Sequence, residues 1–422
     1  MENTIIPRVP KNSPETDILS TSSPAYPASD AALNAELLAW QQTGSADGGF
    51  NQHIQLQQPW QTQPTNIELE AEYRFAGVGD AVAIQGGFDG HLLPLNQPVL
   101  LAPVFVDKPW GREVWFTAME SRGESAVLAE QGSIPLSNYL ALAPQRLCRG
   151  RPIVLLKILD PKPEPVTGDL YFEVHDTKRE VYVVTAIDET VWPEGTGEIR
   201  FGMNQERRAD FADDAAFRNA YLNAVKDYEA VRRAIDAGDV IEPAVEADKR
   251  HAMESFTGVQ ALSPGDVVVV PTWVPHSLQH GVRVVEFQTP AYERFIISFA
   301  QQVRTQDHWD SDHAIANLNL DTPRNPTFTE TAPGITQIVA FEDFSVWRIE
   351  LAPNATCQPP IPMPYAVCMN VSGGVEVGGN VIAPPLTLAA EQACFVPKSA
   401  MPFTLSNPAD GSSVSLIAAV NR

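Results

Sequence analysis

The chain has 422 residues, which is enough for two or three ordinary domains with cores of their own. It carries 29 Lys and Arg against 52 Asp and Glu, a formal net charge of −23, so its surface field should repel nucleic acid and anionic membranes. We therefore expect neither as a partner, and an anionic substrate would need a local concentration of Lys and Arg.

The N-terminal part of the chain carries few functional signals. Its first residues lack the charged segment and apolar core of a signal peptide, and the four cysteines have no CxxC spacing, which together predict a cytoplasmic protein. Residues 1 to about 30 predict a mobile arm, and Ser29 and Asp30 are candidate caps of the short helix ALNAELLAW. Residues 54–90 predict short strands and loops. We treat residues 1–96 as a partly irregular N-terminal extension.

The first stretch that indicates chemistry is GDLYFEVHDTKRE, residues 168–180. In a strand alternate side chains share a face, so Glu173 and His175 project to the same side and can reach one ion. The polar run 176–179 predicts a turn, after which a neighbouring strand brings the carboxylate of Glu180 back to the same point.

A second such stretch is SPGDVVVVPTWVPHS, residues 263–277. Its β-branched run Val267–Val270 predicts a buried strand, and His276 follows it as a fourth candidate ligand, with His280 as the rival. Two imidazoles and two carboxylates suit a divalent first-row metal.

Two further regions complete the pattern. Residues 204–238, between the two stretches, have the apolar spacing of two helices separated by a short break. The last hundred residues return to short β-strands separated by Pro, Gly and Asn turns, and no histidine follows His313. We therefore expect the C-terminal part to be structural rather than a second metal centre.

The two candidate metal stretches together resemble the two halves of the cupin signature, in which a jelly-roll barrel holds a metal on inward-facing ligands. This spacing favours His276 over His280. The sequence departs from it at Glu173, where many cupins have a histidine, and at Trp273, where glycine is usual.

A wider resemblance is to the type I mannose-6-phosphate isomerases. The segments PVLLAPVFVDKPWGREVWF, IVLLKILD and VVEFQTPAYER follow one another in the order of that family, and the resemblance covers roughly residues 97–422. It implies a mainly β bicupin of two jelly-roll barrels, with a small helical insertion that caps one side of the barrel mouth. The metal-binding cupin would span 97–315 with the insertion at about 204–260, and a degenerate cupin would span 316–422.

The resemblance also implies roles for individual residues. The ligands of one divalent ion would be Glu173, His175, Glu180 and His276, with zinc implied by the family and manganese or iron(II) as alternatives. The catalytic residues would be Glu286 as proton carrier, Arg294, and more weakly Lys178. The substrate-binding residues would be Lys157, Tyr171 and Gln288.

The implied reaction is the conversion of mannose 6-phosphate to fructose 6-phosphate through an enediolate. Two departures leave the substrate open, because Glu173 replaces a glutamine ligand of the family and Tyr171 replaces its phosphate-side serine. The expected partner is therefore a sugar or a sugar phosphate. A cupin acting on a different or unphosphorylated carbohydrate, a metal oxygenase and a non-catalytic sugar-binding bicupin stay as alternatives, and the oligomeric state is open.

Overall fold

The computed structural model describes residues 30–58, 65–77, 82–118, 123–129, 132–291, 293–304, 306–359, 363–381 and 383–421. The predicted N-terminal arm, including Ser29, lies outside these residues. Within them, no helix has the length and apolar composition needed to cross a membrane.

The N-terminal segment forms one helix and a four-stranded antiparallel sheet. Its elements are α1 (Ala31–Thr43), β1 (Asp47–Gln58), β2 (Thr65–Ala76), β3 (Ala83–Phe88) and β4 (His91–Pro94), with the strands in sequential order. The strands β1 and β2 have 12 residues each, longer than the short strands predicted. Leu56 and Tyr73 are buried while Gln55 and Arg74 next to them are exposed, which is the alternation of a sheet with one solvated face.

The prediction that the side chain of Asp30 caps the first helix is wrong. Asp30 directly precedes α1 but makes no capping bond to it. Its buried carboxylate instead accepts the backbone N–H groups of Gln145 (3.0 Å) and Arg146 (2.7 Å), so it joins the N-terminal segment to another part of the molecule.

The middle of the chain alternates strands and helices. Its elements are β5 (Val99–Ala102), β6 (Val104–Lys108), β7 (Gly111–Phe116), β8 (Ala126–Ala129), β9 (Gly132–Pro135), α2 (Leu136–Leu142), α3 (Pro144–Cys148), β10 (Leu155–Pro161), β11 (Phe172–Val174), β12 (Glu180–Ile187), β13 (Gly197–Met203), α4 (Gln205–Ala209), α5 (Asp214–Asp236), α6 (Pro243–Glu254), β14 (Thr257–Leu262), β15 (Val267–Val270), β16 (His276–Leu278), β17 (Val282–Gln288), β18 (Phe295–Ser298) and α7 (Ser311–Asn317). Eleven of these strands form two sheets, in the orders β15-β12-β17-β10-β7-β6 and β14-β13-β16-β11-β18.

The six-stranded and five-stranded sheets face each other across a shared core. Leu159, Tyr182 and Val284 from the first sheet belong to the same buried cluster as Ile199 and Leu278 from the second. These two sheets enclose the first barrel, into which the candidate metal ligands project.

The helices between β13 and β14 cover the outer face of the five-stranded sheet. Phe172 and Val174, which alternate with Glu173 on β11, point outward and pack with Phe217 and Tyr221 of α5. No residue of 204–260 lines the pocket at the barrel mouth among the residues described. The apolar face of the insertion packs on the apolar outer side of β11, and its capping of one side of the mouth stays a prediction.

The C-terminal part builds a second pair of sheets. Its strands are β19 (Thr329–Ala332), β20 (Ile335–Ala340), β21 (Phe344–Leu351), β22 (Thr356–Cys357), β23 (Ala366–Ser372), β24 (Val375–Gly378), β25 (Leu386–Leu388), β26 (Ala393–Val396), β27 (Thr404–Ser406) and β28 (Ser413–Val420), with a 3-10 turn at Lys398–Ala400. They form a four-stranded sheet, β22-β27-β24-β25, and most of a nine-stranded one, β19-β20-β21-β28-β23-β26-β5-β8-β9. The mainly β, two-barrel fold class is confirmed, and the four cysteines are free thiols.

The nine-stranded sheet is completed by strands from much earlier in the chain. Leu100 of β5 pairs with Cys394 of β26, and β8 and β9 extend the sheet beyond β5. Residues 99–135 thus contribute to both barrels, which ties the two halves of the molecule together through backbone hydrogen bonds.

Candidate metal centre and active site

Three of the predicted ligands converge inside the first barrel. Suitable donor atoms of Glu173, His175 and His276 all lie within 4.8 Å of one another. Glu173 and His276 are direct partners on the neighbouring strands β11 and β16, although the sequence placed His276 at the end of Val267–Val270. Strand pairing therefore does what the spacing alone cannot, since it brings residues about a hundred positions apart to one point.

Glu180 reaches both imidazoles from the facing sheet. Its Oε1 lies 3.4 Å from His175 Nε2 and its Oε2 lies 3.2 Å from His276 Nε2. The carboxylate also accepts hydrogen bonds from Lys178 Nζ (2.6 Å) and from the Tyr182 hydroxyl (2.6 Å). Burial would raise the pKa of Glu180, but Lys178 and His175 outweigh it and hold that pKa well below its usual range, so this group is a carboxylate.

The polar atoms at this point fit a metal ion. Among the residues described, Glu173 Oε2 and His175 Nδ1 are buried without a hydrogen-bond partner, which is costly unless something else satisfies them. His175 Nε2 and His276 Nε2 are also buried and face carboxylate oxygens at 3.2–3.6 Å without a hydrogen bond of regular geometry. Ligands bound to zinc at about 2.1 Å in tetrahedral geometry stand about 3.4 Å apart. The His175 Nε2 separations from Glu173 and Glu180, 3.6 and 3.4 Å, match that spacing.

The rival histidine lies elsewhere. His280 Nδ1 is 2.7 Å from Asp169 Oδ1, and its ring stacks on Trp192. It is not part of the converging group, so the ranking of His276 above His280 agrees with the geometry.

Trp273 shapes the turn before His276. Its φ of 60° lies in the left-handed region, which explains why glycine is expected at this position and makes tryptophan strained there. The residue is held by a hydrogen bond from its backbone N–H to the His175 carbonyl (2.7 Å) and by stacking on Phe295.

Glu286 and Lys157 stand next to each other on the wall of the same pocket. They are direct partners on β17 and β10, and Lys157 Nζ lies 3.6 Å from Glu286 Oε2 and donates to Gln288 Oε1 at 2.7 Å. Burial raises the pKa of Glu286 to about 8, with Glu180 adding to the rise and Lys157 opposing it. Gln288 is buried and holds Lys157 in place, while it also lines the pocket.

Lys178 is buried rather than solvated in its turn. It donates to Glu180, and the neighbouring carboxylates raise its pKa although burial opposes them. It faces the pocket beside Glu180, which leaves its predicted catalytic role a proposal.

Arg294 and Tyr171 form the other side of the pocket. Arg294 Nε lies 3.7 Å from Glu173 Oε2, and its guanidinium carbon is 4.4 Å from the centre of the Tyr171 ring. The Tyr171 ring packs on Phe299 at 4.1 Å and lies inside the barrel, as the predicted strand register requires.

Two features of the site escaped the sequence reasoning. Glu293 accepts the backbone N–H groups of Thr177 (2.6 Å) and Lys178 (3.1 Å), the Thr177 hydroxyl, and the backbone N–H of Asp176. It therefore fastens the loop before Arg294 to the turn between His175 and Glu180. The neighbouring Tyr292 lies outside the described residues.

The second missed feature is a buried ion pair on the pocket wall. Glu113 Oε1 lies 3.2 Å from Lys108 Nζ, and its Oε2 accepts the indole N–H of Trp115 at 2.5 Å. Burial would raise the pKa of Glu113, but Lys157 and Lys108 outweigh it and lower the pKa to about 2. The alternation of VFVDK and GREVWF was the available signal, since it puts Lys108, Glu113 and Trp115 on one face.

These residues surround one pocket that opens to solvent. A barrel of facing antiparallel sheets with inward-pointing imidazoles and carboxylates defines a cupin-type protein with a candidate metal centre. No family model matches the chain, and no curated protein sequence matches it.

Among solved structures, the chain is similar in fold to mannose 6-phosphate isomerases. The enzyme from Bacillus subtilis matches with a TM-score of 0.55 and 17% identity, over 76% of this chain and 99% of that one. The Salmonella typhimurium enzyme bound to its substrate and to zinc matches with a TM-score of 0.59 and 11% identity, over 77% of this chain and 100% of that one. At these identities the likeness establishes the fold, and the resemblance inferred from sequence is confirmed at that level.

Proposed function

We propose that this protein is a metal-dependent isomerase that interconverts an aldose and a ketose, the reaction class of the enzymes whose fold it shares. The observation that supports this best is the convergence of three candidate metal ligands, two of which, Glu173 and His276, line the same pocket as the buried Glu286 side chain. Aldose–ketose isomerisation needs both an electrophile for the carbonyl and a base for the neighbouring carbon, within reach of one substrate.

The candidate ligands are Glu173, His175 and His276, with Glu180 as the fourth group. An ion held there would act as a Lewis acid that polarises the substrate carbonyl. Zinc is bound in the Salmonella typhimurium enzyme cited above, while two carboxylates among four ligands also suit manganese or iron(II).

Glu286 is the proposed proton carrier. Its raised pKa, about 8, suits a carboxyl group that takes a proton from the carbon beside the carbonyl and returns it to the carbonyl carbon. Lys157, paired with Glu286, would donate to a substrate oxygen, and the guanidinium of Arg294 offers two parallel N–H groups at the mouth.

The test is an isomerase assay on protein of known metal content. Mannose and mannose 6-phosphate are incubated separately in D₂O, and deuterium in the ketose product is expected because a protein base exchanges its proton with solvent. Glu286→Gln keeps the shape of the side chain but removes the base, so kcat should fall by about 100-fold or more. The matched control, Glu350→Gln, alters an exposed carboxylate and should leave kcat unchanged.

A folded, metal-loaded Glu286→Gln protein with near wild-type kcat would remove Glu286 from the mechanism. Sugar binding without any turnover by the wild type would contradict the isomerase proposal and favour the non-catalytic sugar-binding alternative.

A further inference from the structure

We propose, on the basis of the isomerase function above, that the natural substrate is an unphosphorylated sugar, and that Glu113 is the residue that sets this specificity. Glu113 has no part in the proton transfer described above, yet it is a buried carboxylate on the wall of the same pocket. Its position beside two lysines indicates what it does there.

Glu113 occupies the place that the anionic group of a substrate would take. Its carboxylate is 3.2 Å from Lys108, and the charge of Lys157 also acts on it. A pair of lysines on a pocket wall is a suitable anion site, but here the protein supplies the anion itself. Because Glu113 is ionised, a phosphate approaching these lysines meets a fixed negative charge.

The other cations of the pocket are also paired with carboxylates. Lys178 lies 2.6 Å from Glu180, Lys157 lies 3.6 Å from Glu286, and Arg294 lies 3.7 Å from Glu173. No described cation that lines this pocket lacks a carboxylate within 4 Å. Glu180 and Glu173 are proposed metal ligands, and Glu286, with a pKa of about 8, is largely uncharged near neutral pH. The buried ion pair that a phosphate dianion would have to separate is therefore that of Glu113 with Lys108, which is costly.

The remaining surface of the pocket suits neutral hydroxyl groups and the apolar faces of a sugar ring. Tyr171 and Trp110 line it, and among the described residues the indole N–H of Trp110 is buried without a hydrogen-bond partner. Carboxylates such as Glu113 accept hydrogen bonds from sugar hydroxyls without needing a charge on the ligand.

The experiment compares mannose with mannose 6-phosphate in two ways. For the wild-type protein, kcat/KM is measured for each, and titration calorimetry gives the affinity of each for zinc-loaded protein. We expect mannose to be preferred by at least tenfold in both measurements. Glu113→Gln removes the negative charge beside Lys108 and near Lys157 while keeping the side-chain shape, and it should shift the preference toward mannose 6-phosphate by at least tenfold. The exposed control Glu350→Gln should cause no shift.

Two other results would overturn the inference while leaving the isomerase function intact. One is a wild-type protein that turns over mannose 6-phosphate at least tenfold better than mannose. The other is a folded Glu113→Gln protein with unchanged preference.

If neither sugar is isomerised, the isomerase function fails. Calorimetry alone then tests the preference for an unphosphorylated sugar, and tighter binding of mannose 6-phosphate by the wild-type protein would contradict that preference. If Glu113→Gln does not fold, Tyr171→Ser opens the pocket without changing its charge and should shift the preference by less than threefold. A larger shift would mean that pocket size rather than Glu113 sets specificity.

Discussion

At the scale of single residues, the most informative side chains are those whose polar atoms lack partners inside the first barrel. Glu173 and His276 lie on two neighbouring strands, His175 directly follows the first of them, and the three leave buried nitrogen and oxygen atoms facing one another. Glu180 adds its charge from the opposite sheet. This arrangement is unfavourable for an empty site, because buried polar atoms without partners cost free energy, and it is relieved when an ion binds.

We expect His276→Ala to lose the bound metal. The wild-type and variant proteins are stripped of metal with a chelator and reconstituted with zinc. Because one imidazole of a three- or four-ligand site is missing, the zinc content of His276→Ala should fall from about one ion per chain to nearly none. His280→Ala is the matched control, since His280 is engaged with Asp169, and it should keep its metal. Metal analysis of both proteins, after circular dichroism has shown that they fold, checks this. Equal metal content in the two variants would contradict the proposed ligand set.

Trp273 shows how a residue that is locally unfavourable can be retained. A left-handed backbone costs a non-glycine residue roughly 1–2 kcal/mol, and Trp273 adopts a φ of 60°. Its indole N–H donates to Asp176 at 3.1 Å, and its ring stacks on Phe295 and contacts His313. These contacts connect the turn before His276 to the turn after His175, so the strain is offset where both imidazoles need a fixed position.

At the scale of elements, the mouth of the barrel depends on one loop being fastened to another. The loop between β17 and β18 carries Glu293 and Arg294, and the turn between β11 and β12 carries the backbone N–H groups that Glu293 accepts. Thr289, at the start of the same loop, donates to Asp343 of the second barrel at 2.5 Å. The position of Arg294 at the pocket therefore depends on contacts to both barrels.

We predict that Glu293→Gln lowers kcat/KM by about tenfold while the metal content stays the same. An amide oxygen without charge holds the backbone N–H groups more weakly, so Arg294 loses its fixed position. Thr177→Val is the milder companion variant, since it removes only the hydroxyl donor, and it should have a smaller effect on kcat/KM. Kinetics with both proteins at equal metal loading measure this. Wild-type kcat/KM in Glu293→Gln would mean that the loop keeps its place without this contact.

At the scale of the whole molecule, the two barrels are joined by shared strands and by buried hydrogen bonds. The pairing of β5 with β26 places a segment near residue 100 in the C-terminal sheet. The hydroxyl of Tyr365 accepts the backbone N–H of Val154 (2.8 Å) and donates to the carbonyl of Pro152 (2.8 Å). We propose that the two barrels unfold together, while the domain limits at residues 97 and 316 stay a prediction.

Tyr365→Phe should lower the free energy of unfolding by about 1–3 kcal/mol, because it leaves a buried backbone N–H and carbonyl without partners. Tyr221→Phe is the matched control. The Tyr221 ring is equally buried, but its hydroxyl has no hydrogen-bond partner in the described part of the chain, so its removal should cost little. Urea unfolding followed by circular dichroism compares the two. Equal stability of both variants would mean that the Tyr365 bridge does not contribute.

Much of the fold class and the candidate ligands followed from local patterns. Alternation of side chains along a strand put Glu173 and His175 on one face, and the same rule put Phe172 and Val174 on the other, where α5 covers them. The helical spacing of residues 204–238 likewise predicted two helices, which are present as α4 and α5, while the third helix, α6, was not predicted. These features have short periods, so a single stretch of sequence contains all the information they need.

Tertiary structure alone decided which distant elements meet. The use of Asp30 to bind α3, the fastening of Glu293 to the turn before Glu180, and the pairing of β5 with β26 each join residues about a hundred or more positions apart. The effect of Lys157 on Glu113 is a further example of a contact between distant elements. Lys157 lies on β10, whereas Glu113 lies in the hairpin of β6 and β7. Such contacts depend on strand order and on how the sheets face one another. Both result from the packing of the whole chain, so they produce no periodic pattern of residues in the sequence.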